Sequence, residues 1–190
     1  MSISAARPLT VPAGEPDAVQ GRHVVSALVV DRPGTLSRVA GLLRARSFNI
    51  ESLTVGATHE PGLSWMTIVL RGDEGHLRQV LSQLQRLIDV LEVTDLAHGP
   101  HLEVELALVE LDAPADPETE RQLRSTIAEG GGETLTTDSG TWRARLTAPP
   151  ATLDRLLDTL RNLGLRRLVR AGAVAMPTTP TPNPDGATPS

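Results

Sequence analysis

Apolar residues run almost without interruption from Val24 to Val30, stop at Asp31-Arg32-Pro33-Gly34, and resume as Leu36, Val39, Ala40 and Leu43 at helical spacing. The pattern predicts a strand, a tight turn and a helix. Pro33 fixes its own φ and Gly34 frees the next one, so the turn is built into the sequence. The helix is expected to bury the stripe of Leu36, Val39, Ala40 and Leu43, with Ser37, Arg38, Arg44 and Arg46 facing elsewhere. Asn49 to Val55 and Ser64 to Arg71 read as strands joined through His59-Glu60-Pro61-Gly62. Asp73 can cap a second helix carrying Leu77, Val80, Leu81, Leu84 and Ile88, and Val90 to Leu96 closes the unit as a strand. The predicted order is β-α-β-β-α-β.

The plan then repeats. Leu102, Val104, Leu106 and Leu108 alternate as a strand, and Asp116-Pro117 forms an N-cap with proline at the first helical position. That helix has few good stripe residues, Leu123 and Ile127, and ends at Gly130-Gly131-Gly132. Thr134 to Thr137 and Thr141 to Thr147 are β-prone. Leu153, Leu156, Leu157, Leu160 and Leu163 mark a helix stopped by Gly164, and Leu165 to Met176 is the last strand. The fold class is therefore α+β, with two tandem ferredoxin-like units at 23–97 and 101–176. Tails at 1–22 and 177–190 are expected to be disordered, lacking apolar periodicity. A sheet with helices on one face leaves the other face or an edge open, so self-association is expected.

Composition narrows the function classes. The 190 residues carry a net charge of −5, no lysine and no cysteine. Without cysteine, disulfide scaffolds, thiolate catalysis and Cys-ligated metals are out of reach. Scattered arginines and 2% aromatics offer neither a basic stripe nor stacking platforms, so nucleic acid is not an expected partner. No apolar run is long enough for a membrane helix, and residues 1–22 do not fit a secretory signal, so the expected location is cytoplasmic.

The first turn is the candidate for chemistry. The leading N–H groups of a helix lack intrahelical acceptors and sit at the positive end of its dipole, so the Gly34-Thr35-Leu36 region can receive a carboxylate. Asp31 supplies the charge an ammonium group needs nearby. Asn49 offers an amide and Ile50 an apolar surface. Together these suit a free amino acid, although such a turn also occurs before helices that bind nothing, and on its own it leaves both readings open. Other patterns carry less. His98-Gly99-Pro100-His101 reads as a linker, Glu103 and Glu105 as a solvated strand face, and Gly72-Asp73-Glu74-Gly75 as a turn with a cap. No nucleophile elbow, phosphate loop or dinucleotide fingerprint is present.

The segment VVDRPGTLSRVAGLLRARSFNIESLTVGATHEPGLSWMTIVLRGDE, followed by QLQRLIDVLEVTDL, resembles the ACT domain of acetolactate (acetohydroxyacid) synthase regulatory, or small, subunits. The second unit is similar to the C-terminal domain of that family in length, in ELALVEL and in RAGAVAM. The resemblance implies a subunit without catalytic residues and without a cofactor of its own. Thiamine diphosphate, magnesium and FAD belong to the catalytic subunit that it binds, activates and makes sensitive to valine or a related amino acid, in the biosynthesis of valine, leucine and isoleucine. It further implies a homodimer through ACT domains, with the effector at their interface, held by Asp31, Gly34, Leu36, Asn49 and Ile50. Three positions depart from the family pattern: Asp31 replaces a common Asn, Trp65 stands where Arg is common, and in the second unit Val104 replaces the Arg that usually precedes Glu-Leu. A stand-alone amino-acid-sensing ACT protein is the alternative.

Overall fold

The structure is a computed structural model that describes residues 21–178, apart from Ser47 and Ser139. The expected tails lie outside these residues except at their inner ends, where Gly21, Arg22 and Pro177 belong to strands. The elements are β1 (Gly21–Val30), α1 (Thr35–Ala45), β2 (Asn49–Ala57), β3 (Leu63–Gly72), α2 (Glu74–Leu84), β4 (Val90–Asp95), a 3₁₀ turn (Leu96–His98), β5 (His101–Asp112), α3 (Pro117–Glu129), β6 (Glu133–Asp138), β7 (Thr141–Ala148), α4 (Pro150–Asn162) and β8 (Leu165–Pro177). They form two four-stranded antiparallel sheets, β2-β3-β1-β4 and β6-β7-β5-β8, so the doubled βαββαβ plan read from the sequence is what the chain adopts.

Each sheet packs one face on its own two helices. Val25, Ala27, Met66, Ile68 and Leu70 meet Val39 and Leu43 of α1 and Leu77, Val80 and Leu84 of α2. Leu111, Trp142 and Leu146 meet Leu123 and Ile127 of α3 and Leu153, Leu156, Leu157 and Leu160 of α4. The weakly patterned α3 still forms, because Asp116 Oδ1 accepts from the Glu118 and Thr119 amides, both at 2.9 Å. The Thr119 backbone bond, with the Thr119 hydroxyl and the Glu118 amide, holds the Asp116 carboxyl below its ordinary range. A depressed carboxyl stabilises the fold above its unfolded value, and that contribution disappears as pH falls through the folded one. Wild type therefore loses its stability advantage over Asp116→Asn as pH falls below about 4, as read by thermal melts at several pH values.

Four expectations are corrected. Leu36 is 45% exposed, and Thr35 takes the inward position with Val39 and Leu43, because the turn starts the helix one step out of phase with the apolar stripe. Ile88 is 82% exposed, since α2 stops at Leu84. In β5 the inward set is Glu105, Ala107, Val109 and Leu111, while Leu102, Val104, Leu106 and Leu108 face out. Glu103 and Glu105 are not a solvated face: Glu103 takes an ion pair from Arg22, and Glu105 is 6% exposed.

The phase of β5 follows from how the two units join. β8 bends at Gly172 (φ 84), where the register against β5 shifts between Glu105 and Ala107. A Cβ on Gly172 would lie 3.0 Å from Thr54 Oγ1, so only glycine permits this close approach in this backbone conformation. Beyond the bend β8 lies on the face of the first sheet that α1 and α2 leave open. Ala175 packs with Val24 and Leu96, and its N–H donates to Thr67 Oγ1 at 3.2 Å. Much of the face expected to need a second molecule is thus covered by the chain's own last strand.

Candidate functional site

The Asp31–Leu36 turn closes the end of β1, and it is fixed from three sides. The Val30 N–H donates to the Asp89 carbonyl and the Asp31 N–H to the Gly62 carbonyl, both at 2.8 Å. The buried Thr35 hydroxyl donates to the Val30 carbonyl at 3.1 Å. The Asp89 carboxylate, 1% exposed, takes ion pairs from Arg32 and Arg38, so a buried anion ties both arginines to the turn. Asp89 was missed in the sequence. A lone acid between Ile88 and Val90, at the start of an apolar strand, was the available signal.

Gly34 holds the N-cap position of α1 with φ 93, and no side chain caps this helix. Its first N–H groups are therefore free of the side-chain oxygens that cap α2 and α3. A Cβ on Gly34 would come within 3.1 Å of Arg38 Nη1, so the guanidinium lies directly over the glycine. The immediate surroundings combine a positive helix end, Arg32 and Arg38 with the carboxylates of Asp31 and Asp89. A zwitterion matches this mixed field better than a simple anion does. Asp31, Gly34 and Leu36 are all exposed and stand together.

Asn49 and Ile50 are elsewhere. Asn49 is the Cα partner of Arg71, which in turn pairs with Arg22 near the start of β1, whereas the turn follows Val30 at the other end. Within one chain the two halves of the expected site are separated by the length of a strand, about 25 Å. Asn49 is exposed, and both residues lie at the start of β2, an outer strand of the first sheet. Among the described residues no group of three or more His, Asp or Glu side chains is arranged to hold a metal ion. No helix among them is long and apolar enough to cross a membrane.

Residues 25–92, which contain the turn, α1 and β2, match the AHAS small subunit-like ACT domain. A chain of Methanothermobacter thermautotrophicus is 40% identical over 163 residues, spanning 85% of this chain and 94% of its own length. The acetolactate synthase isozyme 3 small subunit of Escherichia coli is 36% identical over 156 residues, spanning 82% and 94%. The chain belongs to the acetolactate synthase small-subunit family. Its architecture agrees: the acetolactate synthase small subunit of Thermotoga maritima superimposes with a TM-score of 0.74 at 28% identity, covering 85% of this chain and 99% of that one. The likeness extends over both sheets, so the second unit belongs to the small-subunit fold as much as the ACT domain does.

Proposed function

We propose that this small-subunit chain regulates an acetolactate synthase, binding the catalytic subunit, raising its activity and making it responsive to valine or a related branched-chain amino acid. The reading rests on one observation above all: an exposed, uncapped helix N-terminus at Gly34 beside Asp31, with its complement Asn49–Ile50 at the opposite end of an outer strand. Antiparallel pairing of β2 with the β2 of a second copy brings that copy's Asn49 and Ile50 to the Ala57 end, where the turn lies. Each site is then shared by two chains, and each dimer holds two.

In such a site the effector carboxylate receives the Gly34 and Leu36 amides, the Thr35 amide being held by the Arg32 carbonyl at 3.3 Å, its ammonium faces Asp31, and its side chain lies between Leu36 and the second copy's Ile50. The binding energy is spent across the dimer interface, so effector and quaternary state are linked, with couplings of about 1–3 kcal/mol typical of such devices. Catalysis and the cofactors thiamine diphosphate, magnesium and FAD reside on the catalytic subunit, with both subunits in the cytoplasm.

The test is reconstitution. Adding this chain to a purified catalytic subunit is expected to raise the rate of acetolactate formation several-fold, and millimolar valine to remove the gain. An unchanged rate, with valine binding intact by calorimetry, points instead to a stand-alone sensor.

A further inference from the structure

Arg38 stands a full turn into α1, yet its side chain acts at the start of that helix. Helical side chains lean toward the N-terminus. A Cβ on Gly34 would have Arg38 Nη1, Cζ and Nη2 as its nearest neighbours from beyond the adjoining residues, at 3.1, 3.7 and 3.8 Å. The amide of the same residue makes the first backbone bond of the helix, to the Gly34 carbonyl at 3.0 Å, so the Leu36 amide ahead of it has no intrahelical acceptor. A cationic fork and an orphan donor thus flank one glycine.

Only part of the guanidinium is engaged. Nη2 takes the buried Asp89 carboxylate, whereas Nη1 and Nε have no partner among the described residues. The Arg38 side chain is 44% exposed, so a ligand can reach it, while Asp89 lies beneath, out of reach. An arginine already anchored at one nitrogen loses little further freedom when another binds, and its planar fork can serve two anions at once. An ion pair with Asp89 alone would need a single nitrogen, which lysine also supplies. Arg32 is the useful contrast: it pairs with the same acid and is half exposed, but contributes none of the atoms nearest to Gly34.

We propose that Arg38 is a direct ligand of the effector carboxylate and that Asp89 is the positioning residue that holds it there. The inference rests on the reading of the Gly34 turn as the effector site and adds a side chain to it. Nη2 stays on Asp89, and Nη1 joins the Gly34 and Leu36 amides on the carboxylate. The ligand class narrows to molecules with a free carboxylate, since the amide of the same skeleton lacks the charge that the fork takes. Gly34 gains a second reason to be glycine, because a side chain there would push Nη1 off the ligand.

Calorimetric titration of the full chain with L-valine tests this. Arg38→Gln is expected to weaken binding by about tenfold or more. Arg32→Gln removes the same charge from the same acid and is expected to weaken it by less than about threefold. Arg38→Lys keeps the charge and the pair with Asp89, so it should melt within about 2 °C of wild type. It has one nitrogen to divide between two anions and should still bind about fivefold more weakly. L-valinamide, which keeps the ammonium and the side chain, is expected to bind wild type and Arg38→Gln equally weakly. The proposal is overturned if Arg38→Lys binds valine as wild type does, if Arg32→Gln costs as much as Arg38→Gln, or if valinamide loses as much as valine. Gly34→Asp separates the two levels. If it abolishes binding while Arg38→Gln binds as wild type does, Arg38 is not a ligand and the turn keeps its assignment. If Gly34→Asp also binds as wild type does, the assignment of the turn fails and the role of Arg38 with it.

Discussion

Replacing Arg170 by alanine is expected to lower the unfolding free energy by about 3 kcal/mol. Arg170 holds Glu105 through two guanidinium nitrogens, Nε at 2.9 Å, and reaches Asp154 at 2.6 Å with a third. The Glu105 hydrogen bond leads the interactions that raise the Arg170 pKa far above its ordinary value, so the guanidinium stays charged at any pH the fold survives. Glu105 also accepts the Gly172 amide at 3.2 Å, at the bend of β8. Without Arg170 the carboxylate is left uncompensated at 6% exposure and the bend loses its anchor. The figure sits at the low end for buried ion pairs because Arg170 is itself about one-third exposed. Denaturant unfolding measures it. The double variant Arg170→Ala/Glu105→Leu is expected to recover part of the loss, whereas equal losses in single and double variants would mean that the pair is not what stabilises the bend.

Gly34→Asp is expected to weaken valine binding by about a hundredfold or more, close to complete loss in calorimetry. The substitution puts a side chain at φ 93, against Arg38, and sets a carboxylate where the effector's own carboxylate would lie. Asn49→Ala should weaken binding by about tenfold through loss of the amide contacts. The shared site makes a sharper prediction. Mixed at equal amounts and allowed to exchange, the two defective variants form hybrids in which one site collects both defects and the other has neither. About one site in four then binds as wild type does. If the mixture recovers nothing, the turn and Asn49 do not belong to one site made by two chains.

Much of the fold could be read from spacing, and the reasons are local. Pro33-Gly34, Asp116-Pro117 and Gly164 are punctuation whose chemistry does not depend on distant residues, and they delimit elements in both units. The errors have a common source. Alternation in β5 gave the right period and the wrong side, because a strand with leucine on one face and glutamate on the other normally buries the leucines. Here an arginine 65 positions away in β8 makes burial of Glu105 tolerable, and no local pattern announces such a partner. Leu36 failed for a related reason: a helix that begins on a left-handed glycine takes its phase from the turn, and the Thr35–Val30 bond sets that phase. For the candidate site, the residue types were legible and their distribution was not. Asp31 and Asn49 are 18 positions apart, and only the strand order reveals that they occupy opposite ends of one sheet. Asp89, which ties the turn to β4, stayed hidden because a single acid in an apolar stretch carries no spacing.

The bend at Gly172 also imposes a schedule on biosynthesis. Val24 and Thr67 emerge early from the ribosome, yet the strand that shelters them is the last to be made. At ordinary elongation rates about 80 further residues take roughly 4 to 16 s, during which the nascent first sheet has helices on one side and bare apolar surface on the other. The interval suits capture by chaperones or by a neighbouring nascent chain, and it ends only when β8 arrives to seal the sheet.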